Sequence, residues 1–244
     1  MSIEIVNLSK KFKDIFAVNN ISFEINPNKT VGLLGPNGCG KTTSIGMMLG
    51  LIKPTSGRIL IKNKNINTLD RNKLLSIMNF ASPYVELPKK LSVKQNLQIY
   101  GRLYGVKDLS SRINELTEDL NLKDFLNKQT GELSSGQKNR VSLAKSLINR
   151  PEILLLDEPT ASLDPDTGDY VRSYVQSYKA KNKVTILLAS HNMAEVERLC
   201  DSVIMMKKGK IIDQGTSKEI INRHGRSNLE ETFLKIARSE DEVA

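Results

Sequence analysis

Residues 30–43 of this 244-residue chain read Thr30-Val31-Gly32-Leu33-Leu34-Gly35-Pro36-Asn37-Gly38-Cys39-Gly40-Lys41-Thr42-Thr43, and they decide the fold. An apolar run of strand type leads straight into a glycine-rich turn of the form G-x-x-x-x-G-K-[ST], which opens a helical pattern over 41–49. The glycines let the backbone curl until successive N–H groups face an anion, and the helix N-terminus adds positive potential. Lys41 has the reach to meet terminal phosphates, and the Thr42 hydroxyl can sit on Mg²⁺. Strand, phosphate loop and helix in that order imply a nucleotide-binding α/β fold.

The second half of such a site lies at Ile153-Leu154-Leu155-Leu156-Asp157-Glu158. An apolar strand there delivers two carboxylates at its C-terminal end, where open α/β sheets bind ligands. Asp157 is suited to hold Mg²⁺, and Glu158, one residue on, points elsewhere and can polarise an attacking water. Leu154–Leu156 and Ile186–Leu188 are continuous apolar runs without alternation, as in parallel strands covered on both faces. Further strand patterns occupy 3–8, 21–25, 58–61, 77–80 and 184–189. Between 81 and 131 they stop, and 93–104 and 112–120 take helical spacing, punctuated by Pro83, Pro88, Gly105 and Gly131. Residues 135–149 are helical with Val141, Ala144, Leu147 and Ile148 on one face. The expected organisation is a catalytic core of 1–81 and 151–244, ending in short helices, with a helical subdomain of 82–150 inserted. There is no internal repeat and no low-complexity linker.

Composition narrows the class. Hydrophobic residues at 39% and charged residues at 26% are ordinary globular usage. No apolar stretch approaches the roughly 20 residues that cross a bilayer, and the start Met1-Ser2-Ile3-Glu4 is unlike a secretory signal. Two cysteines are too few for a disulfide framework, so a cytosolic, reduced chain is expected. The net charge of +9 is uneven: residues 1–150 carry 23 Lys and Arg against 11 Asp and Glu, whereas 151–244 carry 13 against 16. The basic half therefore holds the phosphate loop and the helical region, and nucleotide, a docking partner and anionic lipid near Lys89, Lys90 and Lys94 are sufficient targets for it. No RNA-binding motif, aromatic platform or Cys/His cluster argues for a nucleic acid.

Leu133-Ser134-Ser135-Gly136-Gln137, just upstream of the Asp157–Glu158 strand, resembles the signature of ATP-binding cassette (ABC) nucleotide-binding subunits. After that strand, Ala161-Ser162-Leu163-Asp164 is similar to the family's D-loop, and Ser190-His191 to its switch histidine. The resemblance runs from about Ile3 to Gly215. It implies a P-loop NTPase (RecA-like) core with a mainly parallel sheet flanked by helices, an N-terminal antiparallel β portion and an inserted helical subdomain. It also implies ATP hydrolysis with Mg²⁺: Lys41 on the β- and γ-phosphates, Thr42 and Asp157 on the metal, Thr43 near the α-phosphate, Glu158 as base and His191 as γ-phosphate sensor. The remaining loop positions, Gly35, Pro36, Asn37, Gly38, Cys39 and Gly40, line the nucleotide. Ser134 and Gly136 open the helix running to Asn149, a second helix N-terminus equipped for phosphate. With Gln137 and Asp164, they would close over ATP held by another copy, so a homodimer, or a heterodimer with a related cassette, is implied. Phe12 stands where the family stacks a ring on adenine; packing in a core beside Phe16 is the alternative.

Two positions depart from the pattern. The family's usual Gln after the strand leading into the helical region is absent from Ile77-Met78-Asn79-Phe80-Ala81-Ser82-Pro83-Tyr84, and Ser82 is the nearest equivalent for contacting Mg²⁺ and water. Ser135 replaces the usual signature glycine. Cys39, beside Lys41 and a helix N-terminus, is either a small filler or a thiol biased towards thiolate; Cys200 is expected in the core. The stretch 91–105 and the C-terminal segment 228–236 are similar to ABC-2-type export cassettes, and Leu229, Phe233 and Ile236 form an apolar stripe of packing type. The resemblance thus implies a subunit on the cytoplasmic face of the plasma membrane, coupled to a separate permease. A soluble ABC ATPase acting on ribosomes or nucleic acid is the competing class; a P-loop kinase has no use for the signature or the switch histidine.

Overall fold

The computed structural model describes residues 1–161 and 163–238. In chain order its main elements are β1 (Ile3–Phe12), β2 (Ile15–Ile25), β3 (Thr30–Leu34), α1 (Lys41–Met48), β4 (Ser56–Ile61), β5 (Lys64–Asn65), α2 (Arg71–Ser76) and β6 (Met78–Ala81). There follow α3 (Val93–Leu103), α4 (Leu109–Asp119), α5 (Ser135–Leu147), β7 (Ile153–Asp157), α6 (Pro165–Asn182) and β8 (Thr185–Ser190). The last are α7 (Met193–Leu199), β9 (Ser202–Lys207), β10 (Lys210–Gly215), α8 (Ser217–His224) and α9 (Leu229–Arg238). The fold is a P-loop NTPase, mixed α/β, with an antiparallel N-terminal sheet and mostly parallel pairing elsewhere. Two compact units divide it, one from Met1–Leu74 with the chain from Thr185 onward, the other from Leu75–Val184.

In the first unit, β1 pairs antiparallel with β2 and β4, and β5 follows β4 at the edge. Ile3 and Ile5 are buried while Glu4 and Val6 are half-exposed, the period-two pattern of a sheet with one covered face. Leu8, an odd step from Ile5, would face outward but for a register shift between Ile5 and Leu8, where Asn7 takes φ 48°. Every residue of β3 is buried, and it runs parallel between β8 and β9, with β10 antiparallel on β9. Leu34 at the end of β3, Val203 and Met205 of β9, Val196 of α7, Ile220 of α8, and Leu229 and Ile236 of α9 form one buried cluster. Leu229 and Ile236 of the C-terminal stripe are therefore packing residues, Phe233 is half-buried, and Cys200 packs against the same cluster. Each such Leu or Ile contributes about 1.5–3 kcal/mol.

In the second unit, β6 and β7 pair in parallel, with Ala81 beside Leu156. Asn149, just past α5, ties that helix to β6: Asn79 Nδ2 donates to Asn149 Oδ1 at 2.8 Å, and Asn149 Nδ2 donates to the Ser76 carbonyl at 2.8 Å. Helix α4 starts at Leu109, three residues before the periodic pattern, because the Asp108 carboxylate accepts from the Ser111 N–H. Buried Arg112 joins α4 to α5 by donating to the Leu147 carbonyl at 2.5 Å, and it pairs with Glu115 at 2.8 Å. The unit is wider than the expected 82–150 insertion, since the β6–β7 pair and α6 cluster with these helices.

Candidate nucleotide site

The phosphate loop leaves β3 at Gly35, where a Cβ would lie 2.4 Å from the Met206 carbonyl oxygen and 2.3 Å from Cys39 Sγ. At its other end Gly40 caps α1 with φ 109°, and a Cβ there would fall 2.4 Å from the Ala17 carbonyl oxygen. Only glycine satisfies both places. With glycine as N-cap, α1 begins without a side-chain cap, the arrangement that suits an anion. The buried Lys41 folds over the loop, Nζ donating to the carbonyls of Gly35 at 2.5 Å and Pro36 at 3.3 Å. Asn37 and Gly38 form the exposed tip, Pro36 and Thr43 are half-buried, and the Thr42 side chain is exposed.

Cys39 decides between its two expected readings. Burial pushes its thiol pKa up, outweighing the opposing pull of Lys41, so the bias is towards the thiol. Its sulfur fills the space beside the hydrogen of Gly35, which makes it a packing residue of the loop.

Leu34 and Ser190 are register partners on β3 and β8, so the phosphate loop and His191 leave adjacent strands at the same edge. His191 is exposed. Ser190 Oγ–H donates to Glu195 Oε2 at 2.6 Å, and the Asn192 N–H donates to Ser190 Oγ at 3.1 Å. Phe12 ends β1 at the hairpin, 48% exposed, with Lys10 Nζ 4.8 Å from its ring centroid. Phe16 is 44% exposed, so the two rings do not form a core.

In the second unit the Ala81–Leu156 pairing puts Ser82 and Asp157 at neighbouring strand ends. Asp157 is buried, and Glu158 turns off the strand at φ 54°, left-handed for a non-glycine residue. Such a conformation costs on the order of 1 kcal/mol. The buried Ser82 hydroxyl accepts from the Tyr84 N–H at 3.3 Å, so its nearest fixed partner is its own turn. Ser134 and Gln137 form a reciprocal capping box on α5: Ser134 Oγ accepts from the Gln137 N–H, and Gln137 Oε1 accepts from the Ser134 N–H. Gly136 has room to spare, since a Cβ would meet Thr167 Cγ2 at 3.4 Å, an ordinary contact. Asp164 caps α6 by accepting from the Thr167 N–H at 2.9 Å, and this bond holds its carboxyl pKa below the usual value. Ser162 of the expected D-loop lies outside the described residues.

Three further side chains support these positions. Buried Asn139 of α5 donates from Nδ2 to the Pro159 carbonyl at 2.5 Å, joining the signature helix to the turn after Glu158. Lys145 donates to the Phe80 carbonyl at 2.9 Å and lies 5.5 Å from the Tyr100 ring centroid; burial pushes its pKa down from 10.5 to about 8. Glu195 is fully buried. Its spacing from Asn192 is that of a capping pair, the one sequence signal that could have found any of the three.

Several known proteins are similar to this chain. A family profile described as "ABC transporter" matches residues 18–161. The ABC transporter ATP-binding protein NatA of Bacillus subtilis is 33% identical over 238 residues, covering 95% of this chain and 96% of that protein. A Nod factor export ATP-binding protein I of a Rhizobium species is 33% identical over 235 residues, covering 96% of this chain and 77% of that protein. Among solved structures, a dimeric post-hydrolysis ATP-binding cassette bound to ADP and Pi superposes with TM-score 0.80 at 26% identity, over 88% of this chain and 98% of that one.

Proposed function

The chain belongs to the ABC transporter family and is an ABC-type ATPase, and from that membership we propose that it drives an exporter, working as a head-to-tail dimer on a separate permease. One observation carries the dimer: the chain has a single phosphate loop and a single signature, and the signature presents Ser134, Ser135 and a roomy Gly136 at the solvent-facing start of α5. The Ser134 oxygen accepts within its cap, which leaves its hydrogen to donate to a phosphate oxygen. Lys41 would turn from its loop carbonyls to the β- and γ-phosphates, the α1 N-terminus would hold the anion, and Phe12 would take the base on its exposed ring. Glu158 would accept a proton from the attacking water, and His191 would donate to the γ-phosphate. The oxygen donors of Thr42 and Asp157 are of the kind Mg²⁺ takes, whereas the Ser82 hydroxyl would first have to leave its turn. Bound by them, Mg²⁺ would offset the charge developing on the phosphates.

Coupling to a permease draws support from the second unit, which exposes Tyr84, Val85, Ile99 and Leu103. A cavity of about 230 Å³ opens among Ser82, Tyr84, Leu87, Leu133 and Asn139, linking that surface to the start of the signature helix. No helix among the described residues is long and apolar enough to cross a membrane, so the membrane path would belong to the partner, with this chain on its cytoplasmic face. The Nod factor relative favours export. Purification from detergent-solubilised membranes tests the reading: recovery with a multi-spanning subunit is expected, and recovery with ribosomes or DNA would overturn it.

A further inference from the structure

We propose that Glu195 is a positioning residue for His191, acting through the Ser190 hydroxyl. In an ordinary capping box, the residue at the third helical position reaches back to the backbone N–H of the N-cap residue. Helix α7 has the spacing for this, with Asn192 as N-cap accepting the Glu195 N–H at 3.2 Å. The return bond, however, is not made directly. The Asn192 N–H donates to Ser190 Oγ at 3.1 Å, and Ser190 Oγ–H donates to Glu195 Oε2 at 2.6 Å. A hydroxyl from the last residue of β8 has been inserted into the box.

The insertion has a directional consequence. A plain box would fix Asn192 alone, whereas this one clamps the residues on both sides of His191 to one carboxylate. A serine hydroxyl has a single hydrogen, and the carboxylate fixes where it points; the lone pair facing Asn192 then fixes the backbone beyond the histidine. The hydroxyl and the carboxylate of the clamp sit in the core: Ser190 and Glu195 are fully buried, and Val196, the next residue of α7, packs in the cluster that contains Leu34, the last residue before the phosphate loop. A carboxylate removed from water to serve only as a helix cap would be a costly choice, since the exposed Glu219 closes the box of α8. The hydroxyl it orients is a fixed partner for the buried Glu195, and the intervening His191 is exposed.

This inference rests on His191 acting on the γ-phosphate during turnover. The test is steady-state hydrolysis of Mg-ATP by the full chain in Ser190→Ala, Ser190→Thr, Glu195→Ala and His191→Ala, and in the doubles with His191→Ala. Misplacing the imidazole should lower kcat about ten- to hundredfold in Ser190→Ala and Glu195→Ala, with KM for ATP within about twofold. Ser190→Thr, which keeps the hydroxyl, should restore turnover even if Glu195→Ala folds poorly. In the His191→Ala background, neither substitution should lower the residual rate further, because both act through the missing side chain. Wild-type kcat in Ser190→Ala, failure of Ser190→Thr to restore it, or an additive loss in the doubles would overturn the positioning role while leaving His191 in place. Full activity in His191→Ala would instead remove the role of the histidine, and the positioning with it.

Discussion

Lys145 offers a test of the packing that joins the signature helix to β6. Its ammonium sits where burial holds the pKa at about 8 against an ordinary 10.5, with the Phe80 carbonyl and the Tyr100 ring as partners. A cation whose folded pKa is depressed destabilises the fold wherever it must carry its charge, and the penalty is relieved as pH rises past the folded value towards the unfolded one. At about 1.4 kcal/mol per unit, the full penalty at neutral pH is about 3 kcal/mol, and linkage gives a recovery of about 2.5 kcal/mol between pH 7 and pH 10. Against it stand a hydrogen bond of about 1 kcal/mol and a cation–π contact of about 0.5–1 kcal/mol. Lys145→Met keeps the length of the side chain and removes the charge, so at pH 7 it should equal or exceed the wild type in stability by about 1 kcal/mol, and at pH 10 it should fall below it. Urea denaturation of both proteins across this range checks the crossing, and taking the difference cancels the tyrosines that titrate near the upper limit. A difference that stays constant with pH would mean that Lys145 is not desolvated, and the link from α5 to the strand before Ser82 would have to be redrawn.

Gly136→Ala meets no obstacle in its own chain and replaces a helical glycine, so it should raise stability by about 0.5–1 kcal/mol in a thermal melt while hydrolysis is lost, if the space is kept for nucleotide held by a second copy. Cys39 should react with maleimide at pH 7.5 at least about tenfold slower in the native chain than in urea, measured by mass spectrometry, because burial favours the thiol. Glu158→Gln should bind Mg-ATP with wild-type affinity by fluorescent-nucleotide titration and lose turnover by about 10²-fold or more; appreciable remaining hydrolysis would remove Glu158 as base.

Much of the fold was legible because its signals are local. The Gly35–Thr42 turn, the uninterrupted Leu154–Leu156 run and the helix start at Ser134 each state their structure within a few residues, and the structure reproduces the strand, the loop and the helix. The longer reach of β1 through Asn7 was hidden because a register shift breaks the alternation by which a strand is read. The extent of the helical unit was equally hidden, since the pairing of β6 with β7 joins segments more than seventy residues apart. Cys39 left two readings open because proximity to Lys41 can be seen in sequence, whereas the burial that outweighs it cannot. Lys145, Asn139 and Glu195 look like ordinary helix polar residues until the carbonyls of Phe80 and Pro159 and the Ser190 hydroxyl are brought beside them.

The central claim is that one chain holds only half of each ATP site, and a dilution series tests it most directly. Mg-ATP turnover per chain, measured alongside the oligomeric state by light scattering, should fall towards zero as the protein is diluted into the monomeric range and recover on concentration. Full turnover by demonstrably monomeric protein would contradict the claim.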